Sequence, residues 1–116
     1  MRIVSRTEFM KLPAGTIYSN YEPAVFGGLY VKGDTWEVDF LTCHLLDTTV
    51  DEESSEAHFE AVMRMARGED VSLEFGESFG REGLFDDSLQ YAVWSPDDIR
   101  GLSAFLLKAL KEQEQA

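Results

Sequence analysis

Lysine is missing from the whole stretch between Asp34 and Asp98, where only three arginines stand against 18 aspartates and glutamates. That window carries a balance of −15. The rest of the chain has 4 acidic and 7 basic residues, or +3, which leaves −12 overall. Without clustered Lys and Arg a protein cannot displace the counterions condensed on a phosphate backbone, so direct nucleic-acid binding is not expected. Cysteine is nearly absent too. Cys43 stands alone, which precludes an internal disulfide and fits a reducing compartment. No apolar run approaches the roughly 20 residues of a membrane span. The opening Met1-Arg2-Ile3-Val4-Ser5-Arg6-Thr7-Glu8 lacks the apolar core of a signal peptide. A soluble protein of the cytoplasm, without membrane contact, is the expectation.

What the chain does have is enough apolar material for one core. Its 116 residues are 44% hydrophobic and 12% aromatic, so acidity does not make it a disordered chain. Residues 1–116 are expected to form a single domain.

The elements follow from local chemistry. Residues 2–4 suit a short strand, and Ser5 or Thr7 can cap a short helix with Phe9 and Leu12 on its apolar face. Leu12-Pro13-Ala14-Gly15 reads as a type I turn. Residues 16–21 and 29–32 read as strands, with Pro23 and Gly27-Gly28 between them and Lys32-Gly33-Asp34 as a tight hairpin. Residues 35–45 form the longest strand. Trp36, Val38, Phe40, Thr42 and His44 lie on one face, with Glu37, Asp39, Leu41, Cys43 and Leu45 on the other.

A polar loop over residues 47–54 should lead into a helix over 55–67. Ser54 or Ser55 would cap it, Phe59, Val62, Met63 and Ala66 would form its buried stripe, and Gly68 would close it. Val71, Leu73 and Phe75 alternate with Ser72 and Glu74, the pattern of a half-buried strand, and residues 90–94 suit the last strand. Ser95-Pro96-Asp97-Asp98 is the clearest helix start in the chain, opening a helix over 96–112. Ile99, Leu102, Leu106, Ala109 and Leu110 share one face of it, widened by Phe105 and Leu107. The expected class is α+β: an antiparallel sheet of five or six strands, two main helices and one short N-terminal helix.

Catalytic and metal-binding patterns are weak. Cys43 and His44 are adjacent on a strand and point to opposite faces, so they cannot share a proton, and Cys43 reads as an inert thiol. Asp47, Asp51, Glu52, Glu53, Glu56 and Glu60, with His44 and His58, lack any zinc or calcium spacing and read as a solvated helix start, with a weakly held divalent cation as the alternative; no dedicated metal site and no cofactor are expected. Gly76-Glu77-Ser78-Phe79-Gly80-Arg81-Glu82-Gly83 lacks the Gly-Lys-Ser/Thr ending of a phosphate loop, and its own carboxylates repel phosphate.

Two candidate sites remain. Residues 76–89 are a long connection that mixes aromatics with acids, the composition of an interaction loop: Glu77, Phe79, Glu82, Phe85, Asp86 and Asp87 are the expected partner-binding residues. Folding back of the same apolar residues over the sheet is the plainer alternative. Tyr18, Tyr21, Tyr30 and Trp36 concentrate aromatic surface in the first half and could line a ligand pocket, although core packing is the commoner fate of such residues.

The run Leu12-Pro13-Ala14-Gly15-Thr16-Ile17-Tyr18, then Tyr21-Glu22-Pro23, Phe26-Gly27 and Lys32-Gly33, resembles small accessory proteins encoded by tailed phages and prophages. The likeness runs over residues 5–40 and leaves out the acidic half. It implies a small viral gene product in a bacterial cytoplasm, of a kind that often binds and disables a host protein, and it carries no functional residue with it. The leading expectation is a non-catalytic protein whose acidic face engages a basic surface on a host or phage protein. The alternatives are a small-ligand or nucleotide-binding protein, or minor enzyme, using the tyrosines, and a structural virion component that self-associates through the last helix.

Overall fold

The computed structural model describes residues 1–23, 25–45, 55–73, 75 and 79–116. The elements run β1 (Arg2–Ser5), α1 (Arg6–Met10), β2 (Ile17–Glu22), β3 (Val25–Trp36), β4 (Asp39–His44), α2 (Ser55–Ala66), β5 (Gly80–Arg81), β6 (Gln90–Val93) and α3 (Pro96–Glu114). The strands form one six-stranded sheet in the order β1-β6-β2-β3-β4-β5, with every neighbour antiparallel. This is an α+β fold with two substantial helices and one short one. No helix among the described residues is long and apolar enough to cross a membrane.

The core lies on the face of the sheet covered by α1. Ser5 caps that helix by accepting from the Glu8 N–H at 3.2 Å, which aims Phe9 at the strands. The Phe9 ring stacks on Tyr91 at 4.4 Å and meets Tyr18 and Phe40 edge-on at 4.6 and 5.1 Å. Val4 and Val93 complete the cluster, and Leu12 packs against it. An aromatic cluster of this kind holds a sheet with few residues, since each ring buries roughly 150–250 Å². The opposite face carries Ser19 paired directly with Ala92, both fully buried, and Cys43 paired with Val31.

Several local expectations shift. The first turn sits one residue later than expected: Thr16 N–H donates to the Pro13 carbonyl at 3.3 Å, and Gly15 has φ +93°. Glycine at the third position makes this the type II geometry, because only there is a positive φ required. Lys32-Gly33-Asp34 is not a hairpin either. These residues stay within β3 as an irregularity between the Lys32–Thr42 and Thr35–Phe40 pairs, and the chain reverses at Glu37-Val38. Gly27 and Gly28 also lie inside β3. At Gly28 the φ of +71° accompanies a shift in pairing, and an added Cβ would sit 2.6 Å from the Tyr30 ring. A side chain there would evict the Tyr30 ring from its stack on Tyr18, so the bulge requires glycine.

Residues 71–73 and 75 join no strand, contrary to their alternation. Outer-edge pairing with β4 goes instead to β5, where Arg81 sits opposite Leu41 and donates to Asp39. Alternation marks a segment able to pair; the Arg81–Asp39 contact decides which one does. Asp47, Asp51, Glu52, Glu53, Ser54, Glu74 and Glu77, each given an expectation above, lie outside the described residues.

The two larger helices end as their sequences dictate. Gly68 N–H donates to the Met65 carbonyl and Glu69 N–H to that of Arg64, the paired bonds of a Schellman stop. Ser95 and Asp98 exchange side-chain-to-backbone bonds at 2.9 and 3.1 Å, a complete capping box for α3. Their packing differs from expectation. On α2 the least exposed stripe is Ala57, Ala61 and Met65, whereas Phe59, Val62, Met63 and Ala66 face out. No residue of α3 is buried. The Cα radius of gyration is 16.7 Å, against about 13 Å for a compact chain of this length.

Candidate functional site

At the end of the sheet where β3 turns into β4, two charged clusters hold the segment after β5 in place. The inner one joins α1 to this segment. Arg6 is buried; its Nη1 donates to Glu82 Oε2 at 2.8 Å and to the Tyr91 hydroxyl at 2.7 Å, and its Nη2 donates to the Val38 carbonyl at 3.1 Å. The Tyr91 hydroxyl donates in turn to Glu82 Oε2 at 2.8 Å, and Leu84 N–H donates to the other carboxylate oxygen at 3.0 Å. Each polar group found its partner, which is what makes a buried ion pair tolerable. Burial pushes the Tyr91 phenol well above its ordinary pKa, and the Glu82 carboxylate adds to the effect.

The outer cluster is built on Asp39, whose side chain is 2% exposed while its partner Arg81 is 56% exposed. Asp39 accepts from the N–H groups of Phe40 and Gly83 at 2.9 and 3.0 Å and from Arg81 Nε at 3.0 Å. Burial works to raise its pKa, but the N–H bonds from Gly83 and Phe40 and the arginine outweigh it and hold the carboxyl below the usual range. Pinned by Asp39, the Arg81 guanidinium lies over the Trp36 ring at 4.6 Å and near the Phe85 ring at 5.9 Å. Both rings are open to solvent, at 47% and 52%. The guanidinium is within cation–π reach of both rings, closer to Trp36 than to Phe85.

Backbone strain gathers at the same place. Glu37 and Phe85 have φ of 54° and 52°, the only left-handed non-glycine residues described. A bulky residue in that region is an outlier, worth about 1–3 kcal/mol of strain, and such outliers cluster at functional sites. Val38 and Leu84, next to these two, are exposed as well. The result is one arginine held against two exposed rings, Trp36 and Phe85, with Val38 and Leu84 exposed nearby in the chain. Exposed carboxylates of Asp34, Glu37, Asp86 and Asp87 flank it along the chain.

The residues singled out from sequence divide accordingly. Phe85, Asp86 and Asp87 are exposed on this segment, and Phe79 is exposed beside Gly33. Asp86 is partly occupied, accepting from the Ser88 N–H and hydroxyl at 3.0 and 2.7 Å. Glu82 is not an exposed contact residue: Arg6 and Tyr91 hold its carboxylate inside, so its role is to fix the segment. Of the four aromatics of the first half, only Tyr18 and Tyr30 are in ring contact with each other. Tyr18 is in the core, with its hydroxyl 2.5 Å from that of Thr42, and stacks on Tyr30 at 5.2 Å. Tyr21 meets Phe26, and Trp36 belongs to the Arg81 cluster. An apolar hollow of about 560 Å³ lies elsewhere, between Leu12, Pro13, Ile17, Trp94 and Ile99, and none of the four lines it. Among the described residues no three His, Cys, Asp or Glu side chains gather as metal ligands.

Reasoning from sequence missed Arg81, Asp39 and Arg6. One signal was available: Arg81 is the single basic residue between Arg67 and Arg100, and it sits between Phe79 and Phe85. No family model, no curated protein and no solved structure matches this chain.

Proposed function

We propose that this chain is a non-catalytic accessory protein of a phage or prophage that acts in the bacterial cytoplasm by binding a basic protein surface. The observation that carries the reading is the Trp36–Arg81–Phe85 stack, held upright by a buried aspartate on a strained backbone. Trp and Arg are the residue types enriched at interface hot spots, and a stack fixed before binding loses little side-chain freedom on docking. The flanking carboxylates of Asp34, Glu37 and Asp87 add long-range attraction for a cationic partner, with acids standing in for the phosphates such a partner ordinarily meets. A nucleic-acid-handling enzyme or a defence complex has a surface of that kind.

Capture from bacterial lysate with immobilised protein, at low and at high salt, tests this. A partner should be retained at low ionic strength, released by salt, and lost when Trp36→Ala and Phe85→Ala are combined. Retention that ignores both salt and the double substitution would refute the reading.

A further inference from the structure

We propose that Arg81 is the receptor for a carboxylate on the partner, an Asp or Glu side chain set among Lys and Arg on its basic surface. The inference rests on the reading above and specifies what that surface carries at its centre. A guanidinium has N–H donors on Nε and on both Nη atoms. Arg81 donates from Nε to Asp39 Oδ2 at 3.0 Å. Among the described residues no acceptor meets either Nη, and the side chain is 56% exposed. The edge formed by the two Nη atoms is therefore open to donate a parallel pair of hydrogen bonds, the geometry in which arginine binds a carboxylate.

Three constraints hold the guanidinium before anything docks. Its backbone belongs to the sheet: Arg81 lies opposite Leu41 between β4 and β5, and the next N–H, that of Glu82, donates to the Phe40 carbonyl at 2.9 Å. Its Nε is held by a carboxylate that is itself tied to the backbone, since Asp39 Oδ1 accepts from the N–H groups of Phe40 and Gly83. The Trp36 ring, 4.6 Å from the guanidinium, limits its swing. A side chain ordered in advance loses little freedom on binding. Neutralising Asp39 does not account for the arrangement. A lysine does that with its one ammonium, whereas the planar fork leaves a second edge facing solvent.

Charge selects which carboxylate can enter. Asp34 and Glu37 stand on either side of Trp36 in the chain, Asp86 and Asp87 follow Phe85, and all four are exposed. Arg81 is the single cation in residues 34–40 and 80–89. With a net charge of −12 the chain repels a lone acid. A carboxylate flanked by Lys or Arg meets the opposite field: its cations are drawn by the four acids while its anion takes Arg81. A surface that is merely basic brings a cation up to Arg81 and is rejected, so attraction and repulsion together set the specificity.

Titration of two peptides, followed by nuclear magnetic resonance at low ionic strength, tests this. Both are blocked at their ends: Lys-Lys-Glu-Lys-Lys, and the same peptide with Gln in place of Glu. Charge alone favours the Gln peptide, which is the more cationic. The proposal predicts the reverse order. The Glu peptide should shift the Trp36 indole N–H and the Arg81 Nε–H, leave the Trp94 indole N–H in place, and bind about tenfold more tightly than the Gln peptide. Arg81→Lys keeps the cation without the fork and should bring the two peptides within about twofold of each other, with near-ultraviolet circular dichroism of the aromatic core unchanged. Equal binding by the wild-type chain, or a preference for the Gln peptide, overturns the carboxylate receptor and leaves the basic-surface reading standing. A Glu preference that survives Arg81→Lys overturns it too, by placing the receptor elsewhere. If neither peptide shifts Trp36, the basic-surface reading falls and this inference with it.

Discussion

Arg6 and Glu82 show how much one buried contact can decide. The pair ties the first residue of α1 to the segment carrying Phe85, across 76 positions of sequence. Removing one partner strands the other charge away from water, so Arg6→Ala should destabilise the fold by about 3–5 kcal/mol. Tyr91→Phe removes only a shared hydroxyl and should cost about 1–3 kcal/mol. Urea unfolding followed by tryptophan fluorescence measures both, and equal effects would contradict the geometry. Asp39 gives a pH signature. Its carboxyl is held below the ordinary range when folded, so its contribution is complete above the unfolded value of about 3.9 and disappears as pH falls through the folded value. Asp39→Asn should therefore lower stability at neutral pH and flatten its acid dependence below about pH 4, and an unchanged acid limb would show that Asp39 is not the group involved. Such residues are hard to see in a sequence. Phe85 and Asp87 were legible as exposed because they sit in a polar, glycine-rich connection. Glu82 looks the same locally and differs only because Arg6 arrives from the far end of the chain.

Among the elements, those governed by neighbouring residues were read well. Both long helices begin and end within two residues of expectation, since caps and stop signals act over one turn. Strand identity was harder. Residues 71–75 alternate perfectly and yet the described ones pair with nothing, while two residues at 80–81 take the edge. The hairpin moved from Gly33 to Glu37-Val38 because pairing across β3 and β4, with Trp36 opposite Asp39, overrides a local turn signal. Buried and exposed helix stripes also escaped the sequence: periodicity shows which residues share a face, and only a partner surface decides whether that face is covered. Two glycines separate local from tertiary constraint. An added Cβ at Gly101, in the interior of α3, meets nothing within 4 Å, so Gly101→Ala should stabilise by up to about 1 kcal/mol. Gly28→Ala meets the Tyr30 ring at a positive φ and should destabilise by more than about 1 kcal/mol. Thermal melts of the two variants should move in opposite directions.

At the scale of the molecule, the fold is a small aromatic-cored sheet that presents a rigid stack at one end and an unburied helix elsewhere. A net charge of −12 speeds encounter with any cationic surface without choosing among such surfaces. In the proposed reading, that choice belongs to the Trp36–Arg81–Phe85 cluster. Isothermal titration of the captured partner with the wild-type chain and with Trp36→Ala tests that most directly. Loss of a central aromatic should weaken binding at least about 30-fold, while melting temperature changes little because Trp36 is half exposed. Undiminished affinity in Trp36→Ala would place the interface elsewhere and contradict the account.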